Sequence, residues 1–305
     1  MRIVFFGSDD FALVVLEALL KSPQEVVACL TQPDKPKGRG LKVNVSVIKE
    51  CALTNKIPIL QPSALKVPEF IEQLKSYQSD LFVVVAYGRI LPPELLAVPY
   101  LCAMNVHASL LPRYRGAAPI SWAIINGDSE TGVSIIKMNA EMDAGDIFTQ
   151  AKIPIDSQDT AITLRSKLAV LGTDLLLKTI DSLEKNAYTL AGQDHRQATT
   201  VGKLTKDMGL IVWEKPAVSI HNLVRGLVPW PTAYTYYQGR MLKILESEVV
   251  AIKESQKPPG EVVDLRKDGF VVATGDCGQG LLVRKVHLES ANPLPAAQFL
   301  AGHRV

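Results

Sequence analysis

The chain has 305 residues, of which 47% are hydrophobic and 21% charged. These fractions fit an ordinary globular protein with one large core and a smaller one, and they exclude disordered and fibrous classes. A formal net charge of +2 does not by itself announce a nucleic-acid binder. No repeat of solenoid or propeller length is visible. The longest apolar run, residues 81–87, is far shorter than the roughly 20 residues that span a bilayer. Met1 leads directly into the apolar residues 3–6, too short a stretch for a signal-peptide core. The expectation is a soluble, cytoplasmic monomer with no membrane partner. Cys29, Cys51, Cys102 and Cys277 are widely spaced without a C-x-x-C pair, so they read as reduced thiols and no metal site is expected.

Residues 2–7 predict a short strand ending in Gly7, and residues 11–21 carry apolar side chains at helical spacing. Gly7 stands where a G-x-G-x-x-G motif would begin, but the later glycines are missing. A nicotinamide cofactor is therefore not expected, and Gly7 reads as a turn glycine. Residues 25–31 predict the next strand. In residues 33–42, Lys35, Lys37, Arg39 and Lys42 stand with two glycines and two prolines against only Asp34, which reads as a basic, flexible loop. Further strands are expected at 58–60, 81–87, 103–107 and 133–138, with helices at 47–55, 69–76 and 119–127. This alternation predicts an α/β domain with a doubly wound, mainly parallel sheet, which binds ligands outside the carboxyl ends of its strands. A long helix at 160–185 packs across it. Polar residues 191–202 suit a linker. A helix at 216–227 and short runs at 241–244, 270–273 and 281–286 then predict a small C-terminal β-barrel. The expected domains are 1–190, a linker at 191–204, and 205–305.

Asn105 and His107 are two apart on a strand and so project from one face. A polar pair at the carboxyl end of an apolar strand is costly to bury unless hydrogen-bonded or in a site. Taken alone, a histidine so placed is more often a satisfied structural residue, and the spacing decides nothing. Asp143, in Asp143-Ala-Gly145-Asp146, follows the strand at 133–138 and is expected at the same carboxyl edge, facing His107. A carboxylate there stabilises an imidazolium and orients the ring, as acyl transfer requires. An Asp-Gly turn with solvated carboxylates is the plain alternative. Arg113, Tyr114 and Arg115 precede Gly116-Ala-Ala-Pro119, which reads either as a substrate-approach loop or as a surface loop before a helix. Trp122, Trp213 and Trp230 read as packing residues rather than base-stacking platforms.

The run Asn105-Val-His107-Ala-Ser-Leu-Leu-Pro-Arg-Tyr-Arg-Gly-Ala-Ala-Pro119, followed by Met142-Asp143-Ala-Gly-Asp146, resembles the folate-dependent formyltransferases. Thr31-Gln-Pro-Asp34, Gly38-Arg39-Gly40, Val84-Val-Ala-Tyr-Gly88 and Val228-Pro-Trp-Pro231 extend the resemblance over the whole chain, toward the members that formylate methionyl-tRNA. The resemblance implies a Rossmann-like first domain, an OB-like barrel after it, and Asn105, His107 and Asp143 as a catalytic trio. It implies that Ser109, Leu110, Leu111 and Pro112, together with Ala86, Tyr87, Gly88, Arg89, Ile90 and Leu91, help to hold the folate. The implied co-substrate is 10-formyltetrahydrofolate, with no metal or nucleotide, and the implied acceptor is initiator methionyl-tRNA. Two positions depart from the family pattern. Ser8-Asp9 stands where Thr-Pro is frequent, and Tyr114 where Trp is frequent.

Two other functions remain open on these residues. A formyltransferase acting on a small amine, such as glycinamide ribonucleotide or an amino sugar, would use the same trio. A non-catalytic RNA-binding protein with a relic sheet would not need it. The basic loop and the separate C-terminal domain favour a large polyanionic acceptor, with Lys35, Lys37, Arg39 and Lys42 as expected tRNA contacts that become ordered on binding.

Overall fold

A computed structural model describes residues 1–37, 42–253 and 257–303. In chain order the first elements are β1 (Arg2–Gly7), α1 (Asp10–Lys21), β2 (Glu25–Leu30), β3 (Lys35–Lys37), β4 (Lys42–Asn44), α2 (Val47–Thr54), β5 (Ile59–Leu60), α3 (Pro68–Lys75), β6 (Leu81–Val85) and α4 (Pro93–Leu96). They are followed by β7 (Cys102–His107), β8 (Arg115–Gly116), α5 (Pro119–Ile125), β9 (Glu130–Lys137), β10 (Ile147–Pro154) and α6 (Ala161–Glu184). The rest comprises β11 (Thr200–Val201), α7 (Ala217–Gly226), β12 (Ala233–Tyr237), β13 (Arg240–Ala251), β14 (Val262–Arg266), β15 (Gly269–Ala273), β16 (Gln279–Leu288), β17 (Leu294–Pro295) and α8 (Ala296–Gly302). The chain divides into two compact units: Met1–Gly116 with Thr131–Ile153 and Arg165–Thr200, and Ala117–Glu130 with Pro154–Leu164 and Val201–Val305.

The first unit is built on a seven-stranded sheet in the order β10-β9-β7-β6-β1-β2-β5. β5, β2, β1, β6 and β7 run parallel. Chain order reverses between β1 and β6, which puts the crevice for a ligand at the carboxyl ends of β1, β6 and β7. Continuous apolar runs suit strands covered on both faces, and all five residues of β6 are buried. Val4, Phe6, Leu30, Phe82 and Val84 pack into one core layer. At the first turn, Asp9 caps α1 by accepting from the Ala12 N–H, and Ser8 Oγ donates to the Tyr87 carbonyl. Ser8-Asp9 thus makes a well-capped helix entry. A Cβ on Gly7 would lie 2.6 Å from that of Ala12, so this glycine serves close strand-to-helix packing. In α6, a Cβ on Gly172 would stand 3.0 Å from Val106 Cγ1. Since Val106 alternates with Asn105 and His107, the long helix backs the face of β7 opposite those two residues.

The sheet is mainly parallel, as expected, with β9 pairing antiparallel to β7. Two details of this unit differ from expectation. β10, not foreseen, extends the sheet beyond β9. The stretch 33–42 is not loop throughout, because Lys35–Lys37 and Lys42–Asn44 pair antiparallel, with Lys37 opposite Lys42. Arg39 lies outside the described residues.

The second unit is an antiparallel sheet in the order β12-β13-β16-β15-β14, with β17 beside β16. Ile220, Val224, Leu242, Ile244, Phe270 and Phe299 share its core, so α7 and α8 cover the inner face. The unit is barrel-like, but among the described residues β12 and β14 do not pair, so the expected barrel is open. Arg225 is buried and donates to the carbonyls of Asp156 and Asp159 and to Asn222 Oδ1, which ties residues 154–164 to this unit. Trp213 packs against the core and donates to Thr235 Oγ1. Trp230 departs from the packing expectation, being 53% exposed. No described helix is long and apolar enough to cross a membrane.

Candidate active site

β7 ends in the site. Asn105 and His107 project from the same face of this strand, and the 7% exposed His107 side chain is held by the backbone that follows it. His107 Nε2 lies 2.9 Å from the Tyr114 carbonyl oxygen. A carbonyl only accepts, so Nε2 carries the proton and the neutral ring presents a bare Nδ1. That Nδ1 faces Asp143 Oδ1 at 3.7 Å, close enough for an ion pair once it is protonated.

Asp143 arrives by a different route from the one its position in the sequence suggested. Because β9 is antiparallel, Lys137 lies opposite Met104, away from the carboxyl ends of the parallel strands. The connection from β9 to β10 folds back over β7. Lys137 N–H donates to the Asp146 carbonyl, and a Cβ on Gly145 would lie 1.8 Å from the Lys137 carbonyl oxygen, so only glycine fits that approach. Asp143 itself has φ +53°, a left-handed conformation that Asp adopts more readily than most residues. Its Oδ1 accepts from Asn105 Nδ2 at 3.2 Å and its Oδ2 from the Gly116 N–H at 2.8 Å. The structure thus brings Asn105, His107 and Asp143 together.

The segment after His107 is fixed from within. Ser109 is fully buried and donates to the Arg113 carbonyl, while Ser134 Oγ accepts from the Leu111 N–H and donates to the Ser109 carbonyl. Gln150 donates to the Leu111 carbonyl and to Ser134 Oγ. The hydroxyl of Ser109 and the side chain of Leu111 are therefore spent on the interior, leaving Leu110 and Pro112 half-buried.

The segment 86–91 follows β6, whose Val84 lies opposite Asn105, so it starts beside the carboxyl end of β7. Tyr87 and Leu91 are buried anchors, and Tyr87 meets Phe6 edge-on at 5.5 Å. Ala86 and Gly88 both have positive φ and are exposed, and Ile90 is 71% exposed. Arg89 donates to the carbonyls of Pro62 and Ser63, and the Gln32 amide holds the Tyr87 carbonyl. Between its anchors the segment exposes Ala86, Gly88 and the apolar side chain of Ile90.

Two features were not foreseen. Arg115, read as a cation open to substrate, is buried and committed to Gln193 and His195. The stretch read as a linker is stitched onto the first unit: Ala191 bridges Ile147, and Thr199 accepts the Tyr114 N–H on its Oγ1 and the Arg115 N–H on its carbonyl. Burial pushes the Cys29 thiol up to about 12 and the Cys102 thiol up to about 11, so neither offers a thiolate at neutral pH. Among the described residues no group of three or more His, Cys, Asp or Glu is arranged to hold a metal ion.

A doubly wound sheet whose last parallel strand carries Asn-x-His under a carboxylate, followed by an antiparallel unit, is the plan of a formyl transferase. A family model described as "Formyl transferase" matches residues 1–180, and one described as "Formyl transferase, C-terminal domain" matches residues 203–304. The chain is similar to a sugar 3N-formyl transferase solved in the presence of dTDP and 5-N-formyl-THF, with TM-score 0.70, 20% identity, and 96% of this chain and 99% of that one covered. At that identity the likeness speaks for the fold alone. The methionyl-tRNA formyltransferase of Acetivibrio thermocellus is 44% identical over 306 residues, covering 100% of this chain and 97% of its own length. That of Caldanaerobacter subterraneus subsp. tengcongensis is also 44% identical, covering 100% of this chain and 98% of its own. The chain therefore belongs to the methionyl-tRNA formyltransferase family.

Proposed function

We propose that this chain transfers the formyl group of 10-formyltetrahydrofolate to the amino group of methionyl initiator tRNA, giving the N-formylmethionyl-tRNA used to begin translation. The observation that carries the chemistry is the convergence of His107, whose Nε2 is held by the Tyr114 carbonyl and whose Nδ1 faces Asp143, with an Asn105 amide that spends one N–H on Asp143 and keeps a second. The folate supplies an activated formyl carbon. Asn105 directs its second N–H to the oxygen on which charge develops as the amine adds. His107 accepts the proton shed by the amine at Nδ1 and gives it to the folate nitrogen as the carbon–nitrogen bond breaks, so proton and leaving group balance. Asp143 steadies the imidazolium formed between those two steps and orients Asn105. Residues 86–91 and 109–112 would hold the folate, with the backbone of Ala86 and Gly88 and the side chains of Ile90, Leu110 and Pro112 as its accessible parts. Lys35, Lys37, Arg39 and Lys42 bind the tRNA, and the protein acts as a monomer in the cytoplasm.

The deciding assay offers 10-formyltetrahydrofolate with either methionyl initiator tRNA or small amines and follows formyl transfer. Transfer to the tRNA, falling steeply as salt is added, is the expected result, because each neutralised phosphate releases counterions. Preferential transfer to small amines with a flat salt response would overturn the acceptor.

Arg39→Ala tests the basic stretch. A planar, permanently charged guanidinium between two glycines can reach a phosphate or stack on an exposed base, where a lysine offers only a point charge. The variant should lose about tenfold or more in kcat/KM for methionyl-tRNA, equivalent to roughly 1.4 kcal/mol, and keep its folate affinity. Unchanged kinetics with the tRNA would remove this residue from acceptor recognition.

A further inference from the structure

We propose that Gln193 is a positioning residue for formyl transfer, holding the Asp143 carboxylate at Asn105 and His107 by clamping the backbone on which it stands. The inference rests on the reading of Asp143 as a member of the catalytic trio. Gln193 lies between the two matched family regions, in a run of polar residues with the outward character of a linker. Yet it is 7% exposed, and burying an amide is costly unless its groups are paired. Here each is. Nε2 donates to the Asp143 carbonyl at 2.8 Å and to the Gly145 carbonyl at 2.7 Å, spanning the buried Ala144. Oε1 accepts from Arg115 Nε at 3.1 Å and Nη2 at 2.7 Å. Carbonyls only accept and a guanidinium only donates, so the amide has one possible orientation and cannot swing away without leaving buried groups unpaired.

The two carbonyls clamped are those that bracket the strained part of the connection. Asp143 is left-handed, a strained conformation that persists only when its surroundings over-determine it. Gly145 is pressed against Lys137 on the other side of the clamp. Arg115 N–H is itself anchored on the Thr199 carbonyl, and the next residue, Gly116, supplies the N–H that Asp143 Oδ2 accepts. One polar chain thus fixes both ends of Asp143: Gln193 its backbone, Gly116 its carboxylate. Loss of the clamp would let the carboxylate drift by a fraction of an ångström to an ångström, a displacement that can cost on the order of a hundredfold in rate.

The test is a double-mutant cycle on the full-length protein, with kcat and both KM values measured per folded molecule. Gln193→Leu should lower kcat by about tenfold to a hundredfold and leave KM for folate and for methionyl-tRNA within about twofold. In an Asp143→Ala background the same substitution should change kcat by less than about twofold, because a residue that acts only through Asp143 has nothing left to position. Gln193→Asn, whose amide is one methylene short of reaching both carbonyls, gives the same comparison if the leucine variant is not recovered folded. Wild-type kcat in either folded variant, or equal losses with and without Asp143, overturns the proposal. If Asp143→Ala alone keeps its turnover, the catalytic reading of Asp143 fails instead.

Discussion

Asparagine in place of Asp143 should lower kcat by about two orders of magnitude or more, the range expected when a group serving proton transfer is lost. The substitution keeps the shape and removes one acceptor, and neither orientation of the new amide reproduces the carboxylate's contacts. Turned toward Gly116, it meets an N–H that now donates to Oδ2. Turned the other way, it meets the Asn105 amide, which now donates to Oδ1, and the bare Nδ1 of His107. In that second orientation it would hydrogen-bond the neutral ring and occupy the atom that must take the proton. Either way the imidazolium loses its counter-charge. Single-turnover formyl transfer at saturating folate and tRNA measures the effect, and a folded variant within about tenfold of the wild-type rate would contradict it.

His107→Ala should cost as much or more, between about a hundredfold and ten-thousandfold in kcat, since it removes the proton acceptor itself. It also removes the ring hydrogen bond to the Tyr114 carbonyl, worth about 1 kcal/mol. A modest fall in melting temperature should therefore accompany the kinetic loss without accounting for it. Circular dichroism and substrate binding separate the two effects. Retention of near-wild-type turnover by the folded protein would reassign the proton shuttle.

How far the sequence revealed the site follows from which contacts are local. Asn105 and His107 were legible because the two-residue period of a strand places them on one face whatever lies around it. Asp143 was found by its motif, while the reasoning that placed it at the carboxyl edge failed. A run of alternating strands and helices does not encode the direction of its last strand, and β9 runs backward. β10 escaped notice because its half-buried alternation carries too few apolar residues to stand out. Gln193 and the buried role of Arg115 could not be read at all. Their partners lie 50 and 78 positions away along the chain, and a Gly-Gln-Asp-His-Arg run looks like any solvated connection. In the second unit, single strands were visible as apolar runs, but whether the outermost two meet depends on twist accumulated across the whole sheet.

The stitching of residues 191–200 onto the first unit bears on how the protein is made. Chains emerge from the ribosome amino end first, and domains tend to fold as they appear. When residue 180 has emerged, every strand of the first sheet exists and β7 can already present Asn105 and His107. The connection carrying Asp143 then still lacks both Gln193 donors, and the turn before Gly116 still lacks Thr199. The nascent chain thus passes through a stage in which its sheet is complete and its reaction centre is not. Closure waits for a short polar segment that is synthesised after the whole of the scaffold it serves.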